Sequence, residues 1–119
     1  MGERGYSVWA WLLQAFTGLL LVVLVALHMV ANHFAKRGLL TYRDVAALFA
    51  DPYWLVLQLA LLFAVIYHGL NGLRAVILDA GLSPAGARRL DWALFALGAA
   101  MAAYGVGLAL SIGGWLGSR

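Results

Sequence analysis

Uncharged apolar stretches alternate with short polar segments along the chain. Asp, Glu, Lys and Arg are missing from three of these stretches: residues 5–35, 52–73 and 92–118. Each is longer than the ~20 residues that an α-helix needs to cross the hydrocarbon of a bilayer. The pattern predicts an all-α membrane protein, a single domain over residues 1–119, with three transmembrane helices at about residues 8–35, 52–79 and 84–116. The first stretch is too long for the apolar core of a cleavable signal.

The polar segments between the helices carry signals for helix ends. Thr41–Ala50 is predicted to form a short amphipathic helix on the membrane surface, capped by Thr41 with Asp44 three residues later. Residues that begin or end helices stand at the junctions of the long ones: Asp51-Pro52 before the second, Gly81 after it, and Ser83-Pro84 before the third. We therefore expect almost nothing of the chain outside the bilayer.

The first long helix carries one polar stripe. At about 100° per residue, Gln14, Thr17 and Asn32 all fall within about 40° of His28, whereas His33 falls about 140° away. His28 is therefore predicted to face inward, deep enough to be a ligand. His33 is predicted to lie at the interface, and it is the alternative ligand because it could cap a site near the surface.

The second long helix places His68, Gly72 and Asp79 on one stripe, because Gly72 lies about 40° and Asp79 about 20° from His68. Ionisable groups in a membrane span are costly and are therefore functional candidates. A glycine one turn beyond a histidine leaves the flat gap that a macrocycle needs if the imidazole is to ligate its iron. Arg74, about 120° off the stripe, is placed to meet a carboxylate such as a haem propionate near the interface. The alternative is a core histidine hydrogen-bonded to a neighbouring helix.

The two inward histidines are predicted to stand at different depths. His28 lies roughly 9–12 Å inside the surface of the first loop, and His68 lies roughly 22 Å inside the same surface, at 1.5 Å per residue. The nitrogens of two axial ligands of one iron are only ~4 Å apart. His28 and His68 therefore cannot share an iron. If both ligate, they serve two haems, and each haem takes its second ligand from elsewhere, most simply from a partner chain.

The third long helix is predicted to be a packing element. Small residues recur in it at the four-residue spacing that lets helices approach closely. The pairs are Gly98–Ala102, Ala99–Ala103 and Ala103–Gly107.

Composition excludes several classes of protein. With 65% hydrophobic and 11% charged residues, the chain has too few charges to cover a soluble domain. The absence of cysteine excludes disulfides and iron–sulfur ligation by this chain. The basic residues behind the net charge of +3 are scattered among the loops, so we expect no nucleic-acid binding. The 8 Lys and Arg residues divide evenly between the two sides, which leaves the orientation open.

Three segments resemble one known family. The segment His68-Gly69-Leu70-Asn71-Gly72-Leu73-Arg74, followed by Ile77-Leu78-Asp79, is similar to the second-helix signature of the membrane-anchor subunits of succinate dehydrogenase (succinate:quinone oxidoreductase, complex II). That signature has a histidine, a glycine four residues on and an aspartate eleven residues on. Gln14–Gly18 with the later His28, and the Asp51-Pro52-Tyr53-Trp54 entry, are also similar. The likeness is to the D-type anchor, a cytochrome b subunit.

The resemblance implies half of a six-helix haem-binding bundle completed by a second, C-type anchor subunit. It implies that His68 ligates a proximal haem b and His28 a distal one, with Thr17 and Gly72 packing against haem. Arg74, Asp79 and Asn71 would lie near a haem propionate or the quinone. The other implied partners are an iron–sulfur subunit, a flavoprotein subunit and membrane lipid. The location would be the inner (cytoplasmic) membrane of a bacterium or archaeon, with the N-terminus cytoplasmic.

Two positions depart from the family pattern. Many D-type subunits follow the aspartate with a tyrosine that hydrogen-bonds quinone, but the next residue is Ala80. The quinone donor must then come from a partner, or the quinone sits differently. The arginine that C-type subunits carry three residues before the first-helix glycine is here Ala15, which favours the D-type.

The expected function is therefore electron transfer from succinate to membrane quinone, by a subunit that does not itself touch succinate. The alternatives are a haem-free structural anchor, and the anchor of a fumarate reductase working in the reverse direction. A small transporter is disfavoured, because such proteins carry an inward Asp or Glu in mid-membrane or an inverted repeat.

Overall fold

A computed structural model describes residues 7–34 and 40–117, except for the side chain of residue 34. These residues form four α-helices and no strand. The bounds are α1, Val8–Met29, which continues as a π-helical turn, Val30–Phe34; α2, Tyr42–Ala50; α3, Pro52–Asp79; and α4, Pro84–Ile112. Three stretches are long and apolar enough to cross a membrane: Val8–His33, Pro52–Asp79 and Pro84–Ile112. The predicted all-α membrane fold with three spanning helices is confirmed.

The predicted helix caps are present. Thr41 and Asp44 form a capping box at the start of α2. The Asp51 side chain accepts hydrogen bonds from the backbone N–H groups of Tyr53 and Trp54 at the start of α3. Ser83 caps α4, whose first residue is proline. Gly81 follows the end of α3 with φ +85°, a conformation that a side chain would strain. The two connections that the structure describes in full, between α2 and α3 and between α3 and α4, are therefore short.

The central helix of the bundle is α3, which packs against α1 on one side and α4 on the other. Glycines on α4 permit the second approach, because a Cβ at Gly105 would lie 2.6 Å from the Leu62 side chain and one at Gly98 would lie 2.9 Å from that of Leu70. Gly107, which the four-residue spacing also marks, has nothing within 4 Å of such a Cβ. Small residues therefore bring α4 to α3, but not all of those in the sequence pattern take part.

The last membrane helix ends at Ile112, four residues before the predicted end near residue 116. The chain turns there because Gly113 lies against the end of α2, where a Cβ would come within 2.5 Å of the Phe49 carbonyl oxygen. Gly114 takes a positive φ of 74°. The Trp115 indole N–H then donates to the Phe49 oxygen at 2.8 Å. The surface helix α2 is thus held against the end of α4.

Most large apolar side chains lie on the outside of the bundle. Trp9 is 75% exposed and Phe95 is 68% exposed, while none of the large side chains that the structure describes is completely buried. Such a surface is stable only against lipid or other membrane helices. The inside of the described bundle, by contrast, holds the polar residues Thr17, Asn32 and Gln58.

Candidate functional site

His68 of α3 faces α1 and forms hydrogen bonds there through Nδ1. That nitrogen lies 3.2 Å from the Gln14 backbone oxygen and 3.3 Å from the Thr17 hydroxyl oxygen. The Thr17 hydroxyl donates its own proton to the Leu13 carbonyl at 2.7 Å, so it can accept from the imidazole. Nδ1 therefore carries the proton in this arrangement, and Nε2 keeps a free lone pair. That is the state in which a histidine ligates a metal.

Gly18 is the glycine that lies against the His68 ring. A Cβ on Gly18 would come within 2.9 Å of His68 Cε1. Gly72, which the sequence predicts to leave a gap beside the imidazole for a macrocycle, lies against the Gln14 amide instead, whose Nε2 would be 3.2 Å from a Cβ there. Gly18 directly follows Thr17 of the predicted stripe. The sequence could not identify it as the glycine next to the ring, because periodicity does not give the height at which α1 meets α3.

The Gln14 side chain links α1 to α3 beside His68. Its Nε2 donates to the His68 backbone oxygen at 3.2 Å, and its Oε1 accepts from Asn71 Nδ2 at 2.8 Å. Of the predicted site residues, Thr17, His68, Asn71 and Gly72 are therefore brought together. Asn71 donates to the Gln14 side chain, and its placement near a haem propionate or the quinone stays a prediction.

His28 forms a second centre with Gln58 and Asn32. Its Nδ1 lies 2.9 Å from Gln58 Oε1, across the α1–α3 interface. Asn32 Nδ2 donates to the His28 backbone oxygen at 2.8 Å and lies 3.2 Å from Nδ1. Sequence reasoning missed Gln58, although a signal exists: it is the one polar residue between Trp54 and Tyr67 in an otherwise apolar run.

The two histidine centres lie at different levels of the bundle. Thr17 and His28 are eleven residues apart on α1, and Gln58 and His68 are ten apart on α3. At 1.5 Å per residue both spacings correspond to about 15 Å along the axis. This separation agrees with the depth difference that the helix directions predict, and the two imidazoles are too far apart to bind one iron.

His33 lies close to His28, which corrects the predicted placement on the far side of the helix. Their ring centroids are 6.4 Å apart with the planes at 65°. The π-helical turn explains the difference, because its hydrogen bonds join residues five apart and so align positions that an α-helix would separate. His33 remains exposed, as expected of an interfacial residue.

Arg74 meets a carboxylate of this chain. Its Nε lies 2.5 Å from one Asp91 oxygen, and its second nitrogen lies 3.2 Å from the other, so the pair joins α3 to α4 in a bidentate arrangement. The pair lines one end of an open, mostly apolar groove of about 570 Å³ between α3 and α4. Asp79 is exposed at the end of α3 and lies apart from the His68 centre.

Neither centre of the described bundle can bind a metal ion by itself. The residues that the structure describes contain no group of three or more His, Cys, Asp or Glu side chains around a common point. Each centre instead offers one imidazole with Nδ1 engaged and Nε2 unused. That donor set fits a haem iron ligated by one histidine from this chain and a second ligand from another.

Residues 1–107 match the family described as the succinate dehydrogenase/fumarate reductase transmembrane subunit. The chain belongs to this family. The resemblance noted in the sequence is thereby confirmed. Membership and the three membrane-length helices together make the chain a multi-pass membrane protein with an anchoring role.

Three relatives of this chain are named as membrane subunits of succinate dehydrogenase. The succinate dehydrogenase hydrophobic membrane anchor subunit of Archaeoglobus fulgidus is 42% identical over 80 residues, which cover 66% of this chain and 68% of that protein. The subunit of the same name from Thermoplasma acidophilum is 29% identical over 100 residues, 83% of this chain and 81% of that protein. The succinate dehydrogenase 2 membrane subunit SdhC of Mycobacterium tuberculosis is 26% identical over 78 residues, 66% of this chain and 56% of that protein.

Proposed function

We propose that this chain is the D-type anchor of a succinate dehydrogenase and that it binds haem b together with a C-type anchor subunit. One observation carries the proposal: each of two inward imidazoles has its Nδ1 hydrogen-bonded to an acceptor, and its Nε2 has no hydrogen-bond partner among the described residues. A ligating histidine has this arrangement, because the bond at one nitrogen fixes the tautomer and the ring orientation. Membership in the family supports the assignment.

In this proposal His68 ligates one haem and His28 the other. Haem b, when bound, supplies one-electron transfer between the iron–sulfur subunit and membrane quinone. The residues of this chain orient the imidazoles, exclude water and hold the protons on Nδ1. Gly18 and Thr17 keep α1 close to the His68 ring, and the apolar side chains around both centres lower the local dielectric constant, which tunes the iron.

The quinone is proposed to bind near the Asp79 end of α3, where Arg74 and Asn71 also lie. Asn71 and Arg74 already bond to Gln14 and Asp91, and Ala80 offers no hydroxyl. The hydrogen-bond donors for the quinone are therefore proposed to come from the partner subunits. The proposed complex also contains the flavoprotein and iron–sulfur subunits, docked on the cytoplasmic side with the N-terminus, at the inner membrane of a bacterium or archaeon.

A haem-free anchor is the second candidate. It is favoured by the fact that both imidazoles already make hydrogen bonds between helices, which have a free energy of about 0.6–2 kcal/mol each in membranes. A pyridine haemochrome spectrum of the purified complex separates the two candidates. We expect one or two b haems per complex, and mass spectrometry is expected to identify a second anchor, an iron–sulfur subunit and a flavoprotein. A complex without a Soret band would exclude the haem role and leave a structural anchor.

The direction of the reaction, succinate oxidation or fumarate reduction, is tested on the same preparation. We propose succinate oxidation, in keeping with the names of the relatives. Faster reduction of fumarate by quinol than of quinone by succinate would favour the alternative.

A further inference from the structure

We propose that Gln58 is a positioning residue for His28: its side-chain oxygen accepts the Nδ1 proton and thereby keeps Nε2 as the nitrogen that faces iron. The inference rests on the haem role of His28 proposed above. It assigns a function to a residue that lies ten positions before His68 and outside the three motifs on which the sequence resemblance rests.

The geometry of the amide is that of a dedicated acceptor. Gln58 is 8% exposed, and its Oε1 lies 2.9 Å from His28 Nδ1. Its neighbours along α3 are apolar side chains such as Leu55 and Leu59, which offer the imidazole no other polar partner from this helix. The bond crosses the interface between α1 and α3, so that packing of these two helices sets its length.

The orientation of the amide fixes the tautomer of His28. With Oε1 towards the ring, Nδ1 must carry the proton, and Nε2 has its lone pair free. The reverse orientation would direct the amide NH2 at Nδ1 and move the proton to Nε2, which could then not ligate. Asn32 Nδ2 lies 3.2 Å from Nδ1 in either orientation, so the Gln58 amide decides between the two tautomers in this proposal.

The orientation leaves the Gln58 NH2 buried, with no hydrogen-bond partner among the described residues. A buried donor without a partner is rare in native proteins and calls for a reason. The hydrogen bond to His28 explains the unpartnered NH2 group, because only the observed amide orientation presents an acceptor to the imidazole. Asn32 donates to the His28 backbone oxygen, so its amide does not need Nδ1 as an acceptor.

The test is a redox titration of the haems in the intact purified complex, followed by optical and EPR spectroscopy. Gln58→Leu removes the acceptor, and the imidazole becomes less basic, which favours the ferrous state. We expect the ferrous-to-ferric ratio of the haem at His28 to rise about tenfold, a shift of about +59 mV for one electron. The haem at His68 should keep its potential and its EPR signal, which shows that the bundle is assembled.

Gln58→Glu keeps an acceptor oxygen in either protonation state. We therefore expect a midpoint potential equal to or below that of the wild-type complex, opposite in sign to the effect of Gln58→Leu. This variant decides the matter even if Gln58→Leu does not assemble. A potential above the wild-type value in Gln58→Glu would overturn the proposal.

Gln14→Leu is the matched control, since it also removes a glutamine amide that joins α1 to α3. The Gln14 side chain bonds to the His68 backbone and to Asn71, and to neither imidazole ring. We expect it to leave the potential of the haem at His28 in place. If Gln14→Leu and Gln58→Leu shift the midpoint potential of that haem equally, Gln58 acts only through helix packing and the proposal is overturned. If haem is present but its midpoint potential does not respond to substitution of Gln58, only this inference is contradicted. If the wild-type complex contains no haem, the proposed function is contradicted as well.

Discussion

At the scale of single residues, the two histidines differ in the group that accepts the Nδ1 proton. His68 donates towards a backbone oxygen and a threonine hydroxyl, whereas His28 donates to a side-chain amide. Both arrangements leave Nε2 free, so both imidazoles are suited to ligation. The periodicity of the sequence predicted which face the histidines occupy. It could not predict these acceptors, because they depend on the height at which two helices meet.

Replacing either histidine is expected to remove one haem. We predict that His68→Ala abolishes one haem and His28→Ala the other, because each imidazole supplies one ligand to its own iron. The spectrum of the remaining haem should stay largely intact, since the centres are about 15 Å apart along the helices. Pyridine haemochrome spectra and low-temperature difference spectra measure this. His33→Ala is the control: loss of haem in that variant, with normal haem in His28→Ala, would reassign the ligand of α1.

Adding one methyl group at Gly18 is expected to disturb the His68 centre. Alanine is favoured over glycine in a helix by about 1 kcal/mol. The new Cβ would nevertheless come within 2.9 Å of the imidazole, so the ring or α1 must shift. We predict that Gly18→Ala loses the haem at His68 or changes its EPR signal. The matched control is Gly107→Ala, where a Cβ meets nothing within 4 Å; if both variants keep a wild-type haem signal, close approach at Gly18 is unimportant.

At the scale of elements, the caps were predictable and the irregular turns were not. Thr41, Asp51 and Ser83 act as caps because their side chains satisfy backbone N–H groups within three residues, which the local sequence specifies. The π-helical turn after His28 has no comparable local signal, so the 100° rule placed His33 too far from His28. The partner of Arg74 was also missed, because Asp91 lies on another helix and 17 positions away.

The end of α4 gives an element-scale prediction. A Cβ at Gly113 would lie 2.5 Å from the Phe49 carbonyl oxygen, which belongs to the backbone and cannot rotate away. We predict that Gly113→Ala destabilises the complex by about 1–3 kcal/mol, the usual range for overpacking, because it separates α2 from α4. Thermal unfolding of the purified complex measures the change. Gly117→Ala, where nothing lies within 4 Å, should leave the midpoint unchanged; an equal loss in both variants would argue against the packing explanation.

At the scale of the whole molecule, three membrane helices around so small a core imply that stability comes from outside the chain. The exposed side chains of α1 and α4 are large and apolar, and lipid or further helices must cover them. The amount of spanning structure was predictable from the length of the uncharged stretches. The direction of insertion was not, because the basic residues are balanced between the two sides.

Orientation can be measured directly, since the chain contains no cysteine. We predict that Leu82→Cys, between α3 and α4, reacts with a membrane-impermeant maleimide only from the cytoplasmic side. Tyr42→Cys, in the surface helix, should react only from the opposite side. Both positions are exposed, so reactivity reports the side of the membrane. Labelling of Leu82→Cys from outside intact cells would reverse the proposed topology.

The acceptors of the two Nδ1 protons differ in whether a substitution can remove them. A carbonyl of the main chain survives every substitution at Gln14, whereas the amide at Gln58 can be exchanged by a single codon change. Across descendants of this chain, the electron affinity of one centre would therefore stay nearly constant while that of the other drifts. The difference in midpoint potential between the two centres could then change to suit a different membrane quinone, while the helix bundle itself stays the same.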